Sequence, residues 1–297
     1  MGRRGQAGGP DGLAVVDKEA GWTSHDVVAK ARGLLGTRKV GHSGTLDPDA
    51  TGVLLLGVGK VTRLLRYLGL TSKTYTGVVV LGTATSTLDA SGEVTGTWDM
   101  SGIGIEDVRV AAATLTGDIL QVPPMVSAIQ IDGRRLHELA REGIEVDRPA
   151  RPVTVHRFEV GQPREAGCIP VEVECSSGTY VRSLAADLGT ALGGGAHLRD
   201  LRRTAIGSFT LGEAVPLAGL SPDRLLSPAA ALRDLPGVTV DERTAADVGH
   251  GKVLPAEVLG VSGDGPWPVL GGDGTLLAVY EPHRAGTVKP GVVLATP

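Results

Sequence analysis

The residues of this chain that could do chemistry gather around one aspartate. Asp47 stands in the glycine-rich string GHSGTLDPDATG, with Gly44 and Gly52 on either side. Glycine lets the backbone approach a ligand closely, and Pro48 disfavours the helical conformation for the residue before it. We therefore predict that Asp47 is extended or in a turn and presents an active-site carboxylate. The alternative for the same Asp-Pro-Asp sequence is turn chemistry alone.

Hydrophobic patterning predicts the elements that must position this loop. The continuous apolar run over residues 53–56 predicts a buried strand directly behind it, and residues 13–16 predict another strand. Ser24 is predicted to cap a helix with apolar residues on one face, ended by Gly36. Further predicted elements are a helical stripe over 61–68, a strand over 76–81, helices over 108–115, 136–140 and 182–192, and a half-buried strand over 171–175.

Length and local composition predict the domain organisation. A chain of 297 residues suggests two domains. We predict a disordered tail over residues 1–11, a main domain over 12–220, a linker over 221–236 and a small β-rich domain over 237–297. Within the last segment, Asp273-Gly274 lies between two short apolar runs and predicts a hairpin turn.

Bulk charge and cysteine content restrict the classes of function. The net charge of -4 gives no global electrostatic case for nucleic acid, although arginines cluster at 63 and 66, at 134 and 135, and at 199, 202 and 203. The two cysteines predict neither a disulfide framework nor a zinc site, which favours a cytoplasmic protein. No apolar run approaches the length of a membrane span, so no membrane association is expected.

Several sequence blocks occur in a fixed order along the chain. They are GHSGTLDP with ATG at 41–52, KTY at 73–75, QVPPM at 121–125, AREG at 140–143, CSSGTYVR at 175–182 and GAHL at 195–198 leading into LRR at 201–203. These blocks resemble those of the TruB-type pseudouridine synthases, which act on uridine 55 in the T loop of transfer RNA. The resemblance covers approximately residues 13–209, and implies an α+β fold with a mixed, largely antiparallel sheet core, flanking helices and a small C-terminal β-rich, PUA-like domain.

The resemblance implies that Asp47 is the catalytic aspartate and that Arg182 pairs with it and orients it. The reaction breaks one glycosidic bond and rejoins the same two partners through carbon, so no cofactor and no metal is expected. Whether Asp47 attacks the sugar, attacks the base or removes a proton is left open by the sequence. The alternative for Arg182 is a surface arginine at the head of a helix.

The target nucleotide must be extruded from its stack, and the resemblance assigns residues that receive it. Tyr75 is expected to stack on the base and Tyr180 to line the pocket, with core tyrosines as the alternative. Leu201 is expected to add an apolar wall, and His42 to lie beside the flipped nucleotide. Four more positions are candidate RNA contacts or supports: Lys18, Arg202, Arg203 and His197. An exposed surface lysine is the alternative at Lys18.

Rival functions make requirements that the sequence meets poorly. The string GVGK at 57–60 suggests a phosphate-binding loop, but Leu54 and Val61 stand where that loop needs glycine and a hydroxyl residue. A zinc deaminase needs a Pro-Cys-x-x-Cys sequence, which this chain lacks. A glycosidase needs a second carboxylate on the opposite face of the sugar, and Asp49 is too near Asp47 in the sequence to be assigned that place. Two alternatives stay open: an RNA-binding or tRNA-folding protein whose catalysis is dispensable, and a guide-RNA-directed relative. The expected partner is the T arm of transfer RNA, with no protein partner required.

Overall fold

A computed structural model describes residues 9–294 except 128, 132 and 164, and the side chains of 135 and 137 are outside that description. Residues 1–8 of the predicted tail therefore lie outside the described residues. The chain forms two compact units. Unit 1 contains the described residues of 9–48, 52–71 and 207–294, and unit 2 those of 49–51 and 72–206. The domain boundaries expected from composition stay predictions.

The secondary structure consists of short strands with a few helices. The strands are β1 Gly12–Lys18, β2 Val40–Ser43, β3 Thr51–Val58, β4 Lys73–Leu81, β5 Thr83–Thr85, β6 Val94–Thr97, β7 Gly117–Gln121, β8 Gln130–Ile131, β9 Arg134–Arg135, β10 Arg151–Val160, β11 Cys168–Cys175, β12 Ala196–Ile206, β13 Phe209–Thr210, β14 Val215–Pro216, β15 Val238–Thr239, β16 Leu254–Pro255, β17 Trp267–Leu270, β18 Leu276–Pro282 and β19 Thr287–Val293. The α-helices are α1 Ser24–Leu34, α2 Leu65–Leu68, α3 Ile105–Thr114, α4 Leu136–Arg141, α5 Val181–Ala191, α6 Glu242–Gly249 and α7 Ala256–Leu259. Single-turn or 3-10 segments cover Gly59–Leu64, Leu217–Gly219, Pro222–Arg224 and Ala230–Leu232.

Unit 1 is built around the strand predicted behind the aspartate loop. β3 pairs antiparallel with β1 and with β2, and β14 adds to β1 in parallel. The side chains of residues 53–56 are fully buried, which confirms the prediction of a buried strand. Burying one such Val or Leu side chain contributes roughly 1.5–3 kcal/mol, so β3 is a rigid support.

Helix α1 covers this sheet with one apolar face. Val27, Val28 and Ala31 pack in the same core as Val16 and Leu56. The predicted helix is confirmed, but its cap is not Ser24: Thr23 is the N-cap, and it forms a capping box with Asp26. Both residues are good caps, and the acidic side chain three positions after Thr23 decides between them.

The predicted helical stripe over 61–68 divides into two elements. Residues Gly59–Leu64 form a 3-10 helix, and only Leu65–Leu68 is α-helical. Val61, Leu64 and Leu68 are buried as the stripe predicts. Over so few residues, periods of 3.0 and 3.6 place the same side chains on one face, so burial was predictable and helix type was not.

The C-terminal part of unit 1 carries a second, five-stranded sheet. Its strand order is β15-β17-β18-β19-β16, and β17 and β18 meet at the predicted Asp273-Gly274 turn. Trp267, Val269 and Tyr280 lie in its core. This sheet confirms the expected small C-terminal β-rich part of the fold.

Unit 2 contains an antiparallel sheet in the order β12-β4-β11-β10-β7. Alternate residues of β11 are buried, which confirms the half-buried strand predicted near 171–175. The helices predicted over 108–115, 136–140 and 182–192 appear as α3, α4 and α5 with shifted ends. Antiparallel pairing dominates both units, and the parallel pairs β1-β14 and β15-β17 make the sheets mixed.

None of the helices in the described part of the chain combines the length and the apolar character that a membrane span requires.

Candidate active site

Asp47 lies half-buried in the loop that joins β2 to β3 in unit 1. The two strands pair from Val40 opposite Val58 to Ser43 opposite Leu55, so the loop rises from a closed antiparallel ladder. Gly44 has a φ of 75°, a conformation that glycine adopts at no steric cost. The loop thus leaves a rigid sheet by a sharp turn, and it exposes part of the Asp47 residue.

Lys18 supports this loop from inside unit 1. Its side chain is fully buried, and its ammonium donates to the carbonyls of Glu19 at 2.9 Å, Trp22 at 2.7 Å and Pro48 at 2.9 Å. The backbone N–H of Gly21 donates to the same Pro48 carbonyl at 3.0 Å. An exposed surface lysine is therefore excluded at this position. Charge-assisted bonds of this kind are about twice as strong as neutral ones, so the peptide after Asp47 is held firmly.

His42 lies on β2, opposite Leu56 of β3, and is half-buried. The ring of His25, near the start of α1, meets the His42 ring edge-on, with centroids 5.3 Å apart and an interplanar angle of 84°. This is a favoured aromatic geometry. Both rings belong to unit 1, and the contact fixes one edge of His42.

Arg182 is the second residue of α5 in unit 2, and its side chain is only 5% exposed. Its Nη1 donates to the Thr87 carbonyl at 2.8 Å and lies 3.3 Å from Asp89 Oδ2, and its Nη2 donates to the Val126 carbonyl at 2.9 Å. The alternative of a solvated surface arginine is therefore wrong. The guanidinium is oriented by one carboxylate and two backbone carbonyls, and its expected pairing with Asp47 stays a prediction.

Asp89 is itself held in place by the loop around it. Its Oδ1 accepts hydrogen bonds from Thr87 Oγ1 at 2.6 Å, Ser91 Oγ at 2.6 Å and Ser91 N at 3.0 Å. The preceding Leu88 has a φ of 63°, which is uncommon for a leucine. Such strain persists only where neighbouring contacts determine the loop, and here it presents Oδ2 to Arg182.

Tyr180 precedes α5 in an extended conformation, and its backbone is held by a side chain from β7. Tyr180 N donates to Gln121 Oε1 at 2.8 Å, and Gln121 Nε2 donates to the Tyr180 carbonyl at 3.1 Å. Gln121 is buried, so this reciprocal pair is shielded from water. The sequence predicted the tyrosine but not the glutamine that fixes it.

Tyr75 lies on the central strand β4, opposite Val173 of β11 and Arg203 of β12. It is buried, and the Arg203 guanidinium lies 6.0 Å from its ring centroid. Arg203 is fully buried, which suits a support and not a surface contact with RNA. Burial, and secondarily the charge of Arg203, lower the pKa of nearby Lys73 to about 8.

The remaining predicted residues lie along β12. Leu201 is half-buried and falls where the β12 register against β4 shifts, between Arg199 and Arg202. Bulges of this kind change the direction of side chains, so the Leu201 side chain does not follow the regular alternation of a strand. Arg202 Nη1 donates to Thr51 Oγ1 at 3.2 Å, and His197 Nδ1 lies 2.8 Å from the Thr83 carbonyl.

A cavity of about 530 Å³ opens in unit 2 beside the Arg182 anchor. Its lining includes Thr87 and Val126, whose carbonyls receive the guanidinium, together with Met125, Ile144 and Arg141. The volume lies within the usual range for ligand pockets, and the lining combines apolar side chains with one cation, Arg141, and one carboxylate, Glu145. Among the described residues, no cluster of His, Cys, Asp or Glu is arranged to hold a metal ion.

Comparison with known proteins identifies the family. Residues 32–181 match the model of the TruB family pseudouridylate synthase N-terminal domain, and residues 182–228 match the tRNA pseudouridylate synthase B C-terminal domain. The chain belongs to the TruB family.

TruB relatives are similar over most of their length. The tRNA pseudouridine synthase B of Rhodococcus jostii is 53% identical over 85% of this chain and 84% of its own. That of Streptomyces coelicolor is 48% identical over 93% of this chain and 94% of its own. Among solved structures, a chain in the crystal structure of a Cbf5-Nop10-Gar1 complex superposes with a TM-score of 0.76 at 25% identity, covering 97% of this chain and 86% of that one. The expected fold class is confirmed.

The predicted site residues divide between the two matched segments. Asp47, Tyr75 and Tyr180 fall in the first, and Arg182 opens the second. Sequence reasoning missed the residues that hold them, above all Asp89 and Gln121. A signal existed for Asp89, since the hydroxyl-rich string STLDAS at 86–91 is typical of a turn in which an aspartate binds its own loop.

Proposed function

We propose that this TruB enzyme converts uridine 55 in the T loop of transfer RNA into pseudouridine, with Asp47 as the reacting carboxylate. The observation that carries the activity is the similarity to tRNA pseudouridine synthase B relatives, at 46–53% identity over more than four fifths of the chain. The half-buried Asp47 loop, fastened through Pro48 to the buried Lys18, supports the assignment of the carboxylate.

The reaction is an isomerisation with balanced bonds. The bond between C1′ and N1 breaks, the uracil turns, and a bond between C1′ and C5 forms. C5 loses a proton and N1 gains one, so nothing is oxidised or reduced. In this scheme Asp47 supplies the anionic oxygen that meets C1′ or C6, and burial of the detached base excludes water that would trap the intermediate.

The extruded nucleotide is received by four side chains in this scheme. Tyr75 stacks on the base, Tyr180 lines the pocket, Leu201 adds an apolar wall, and His42 occupies the gap left in the RNA. Base stacking of this kind is worth roughly 1–3 kcal/mol, enough to offset much of the cost of extrusion. Arg182 pairs with Asp47 and keeps its carboxylate charged and oriented.

The supporting residues act through these contacts. Lys18 and Arg203 are fully buried and serve as supports. His197 and Arg202 hold the β12 segment that carries Leu201. The two free cysteines suit a reducing compartment, which supports a cytoplasmic location.

Neither alternative function is favoured. A protein that only binds or folds transfer RNA is not expected to share about half of its residues with tRNA pseudouridine synthases over most of its chain, as this protein does. The Cbf5 chain, which is in a complex with Nop10 and Gar1, is only 25% identical, so its partners are not carried over to this protein.

The test is to incubate the purified protein with unmodified transfer RNA and map pseudouridine at each position. Asp47→Ala is expected to abolish pseudouridine formation while the Kd for transfer RNA stays within about twofold, because the change removes only the reacting group. Asp49→Ala is the matched control, since this exposed carboxylate lies two residues away. Two results would contradict the proposal: pseudouridine formation by Asp47→Ala, or a wild-type protein that modifies other positions and leaves uridine 55 unmodified.

A further inference from the structure

Two neighbouring hydroxyl residues at the start of α1 have different tasks. Thr23 closes the helix: its Oγ1 accepts from Asp26 N at 3.1 Å, and its own N–H donates to Asp26 Oδ2 at 3.0 Å. Ser24 takes no part in that capping box. Its hydroxyl is bound to a residue 22 positions further along the chain, beside the proposed reacting carboxylate.

The Ser24 hydroxyl makes a reciprocal pair of hydrogen bonds with Leu46. Leu46 N donates to Ser24 Oγ at 2.9 Å, and Ser24 Oγ donates to the Leu46 carbonyl at 3.2 Å. Ser24 is 1% exposed and Leu46 is 3% exposed. Water cannot replace these bonds at such burial, so one side chain satisfies both polar groups of the residue before Asp47.

The residue after Asp47 is held just as closely. The Pro48 carbonyl accepts from Lys18 Nζ at 2.9 Å and from Gly21 N at 3.0 Å. The proline ring also fixes its own φ. Asp47 therefore stands between two residues whose backbones are fastened to unit 1, and only its own dihedral angles remain to be set.

We infer that Ser24 is a positioning residue for the Asp47 carboxylate. Ser24 fixes the backbone of Leu46, on the N-terminal side of Asp47, and Lys18 fixes the backbone of Pro48 on its C-terminal side. The inference rests on the proposed function of Asp47. A misplacement of about 1 Å can lower a rate 100-fold, so loss of this hydroxyl lowers the rate of the chemical step and leaves transfer RNA binding intact.

The experiment compares Ser24→Ala with Thr23→Ala in the full chain. Each removes one hydroxyl from the start of α1, but only Ser24→Ala releases Leu46. Single-turnover pseudouridine formation is expected to slow about 10- to 100-fold in Ser24→Ala and less than about twofold in Thr23→Ala. The Kd for unmodified transfer RNA stays unchanged in both. Hydrogen exchange at the Leu46 amide rises only in Ser24→Ala.

Several outcomes overturn the inference. One is a wild-type rate in Ser24→Ala when the Leu46 amide exchanges freely, and another is equal slowing in Thr23→Ala. If Ser24→Ala does not fold, Ser24→Cys replaces the hydroxyl by a slightly larger thiol with weaker hydrogen bonds and is expected to slow turnover in the same way. Asp47→Ala, run in parallel, separates the two levels: if it turns over, the proposed function fails, and if it is inactive with Ser24→Ala at full rate, only this inference fails.

Discussion

Arg182 Nη1 lies 3.3 Å from Asp89 Oδ2, and the two side chains are 5% and 23% exposed. The carboxylate comes from a loop bound to itself through Thr87 and Ser91, and the arginine from the first turn of α5. Asp89 thus balances the charge of Arg182 and sets its direction, while the Thr87 and Val126 carbonyls hold the rest of the guanidinium.

Replacing Asp89 by asparagine is expected to impair both stability and turnover. Asp89→Asn keeps the size of the side chain but removes the charge that compensates a buried guanidinium. Since Asp89 is partly exposed, we expect a loss of about 1–3 kcal/mol in the free energy of unfolding, below the range for fully buried pairs. Activity falls further, because Arg182 loses its orientation. Urea unfolding and single-turnover assays measure the two effects.

The control is Glu93→Gln, which neutralises an exposed carboxylate on the same loop. It is expected to change stability by less than about 0.5 kcal/mol. An Asp89→Asn enzyme as fast and as stable as the wild type would refute the orienting role.

Gln121→Glu is expected to loosen Tyr180. The new carboxylate can still accept from Tyr180 N, but it places an anionic oxygen against the Tyr180 carbonyl in a buried site. An unsatisfied buried group costs about 1–3 kcal/mol, and repulsion adds to that. We expect a lower melting temperature, together with a reduced kcat measured at temperatures where the variant is folded. Gln130→Glu, on the exposed start of β8, is the matched control and should leave both unchanged.

Cys175 is expected to make stability fall at alkaline pH. Burial raises the pKa of its thiol to about 11 from a usual value near 9. Between these values the unfolded thiol loses its proton while the folded thiol keeps it, so the folded state binds more protons and stability decreases as pH rises. Between pH 8 and pH 10 the wild type should lose about 1 kcal/mol more than Cys175→Ala.

Urea unfolding at the two pH values measures this difference. Lys73, whose lowered pKa acts in the opposite direction, is present in both proteins, and only the smaller part of its pKa shift that comes from Cys175 differs between them. Cys168→Ala removes the less buried thiol and should show a smaller effect. Equal pH dependence in the wild type and Cys175→Ala would contradict the assignment.

Gly291→Ala is expected to disturb the attachment of the C-terminal sheet. A methyl group there would overlap Arg66 Nη2, Glu281 Oε1 and Tyr67 Oη, which form one hydrogen-bonded cluster. All three atoms are ends of side chains that can move aside, so the cost is that of the hydrogen bonds lost from the cluster, about 0.5–1.5 kcal/mol. Thermal unfolding and limited proteolysis measure the effect. Gly272→Ala, at a position with open space around it, is the matched control and should be neutral.

The sequence predicted those parts of the fold whose signal is local. β3 is a continuous apolar run and β11 alternates strictly, so few residues suffice to recognise each. The first cap of α1 was misplaced by one residue because Thr23 and Ser24 have equivalent chemistry, and only the Asp26 carboxylate separates them. With Ser24 assigned to the cap, its hydroxyl was not available for any other predicted contact, and the hydrogen bonds with Leu46 were not predicted.

The supports of the candidate site were not predictable in the same way. Asp89 and Arg182 are 93 residues apart, and Gln121 and Tyr180 are 59 apart. Such pairs exist only after strands and loops have been brought together by the fold. The burial of Lys18 likewise depends on Pro48 returning to it across 30 residues. Motifs marked the residues that are predicted to face a substrate, whereas the residues that hold them could be recognised only in the tertiary structure.

The cluster of Arg66, Tyr67 and Glu281 has a consequence for shortened forms of this protein. Burial raises the pKa of the Tyr67 phenol to about 12, and Lys60 and Arg63 donate to the carbonyls of Leu294 and Val293. A chain cut off before residue 237 would leave a phenol, two arginines and a lysine without these acceptors. Slow turnover by such a fragment would therefore have two causes to separate: destabilisation of α2 and its surroundings, and weaker binding of RNA.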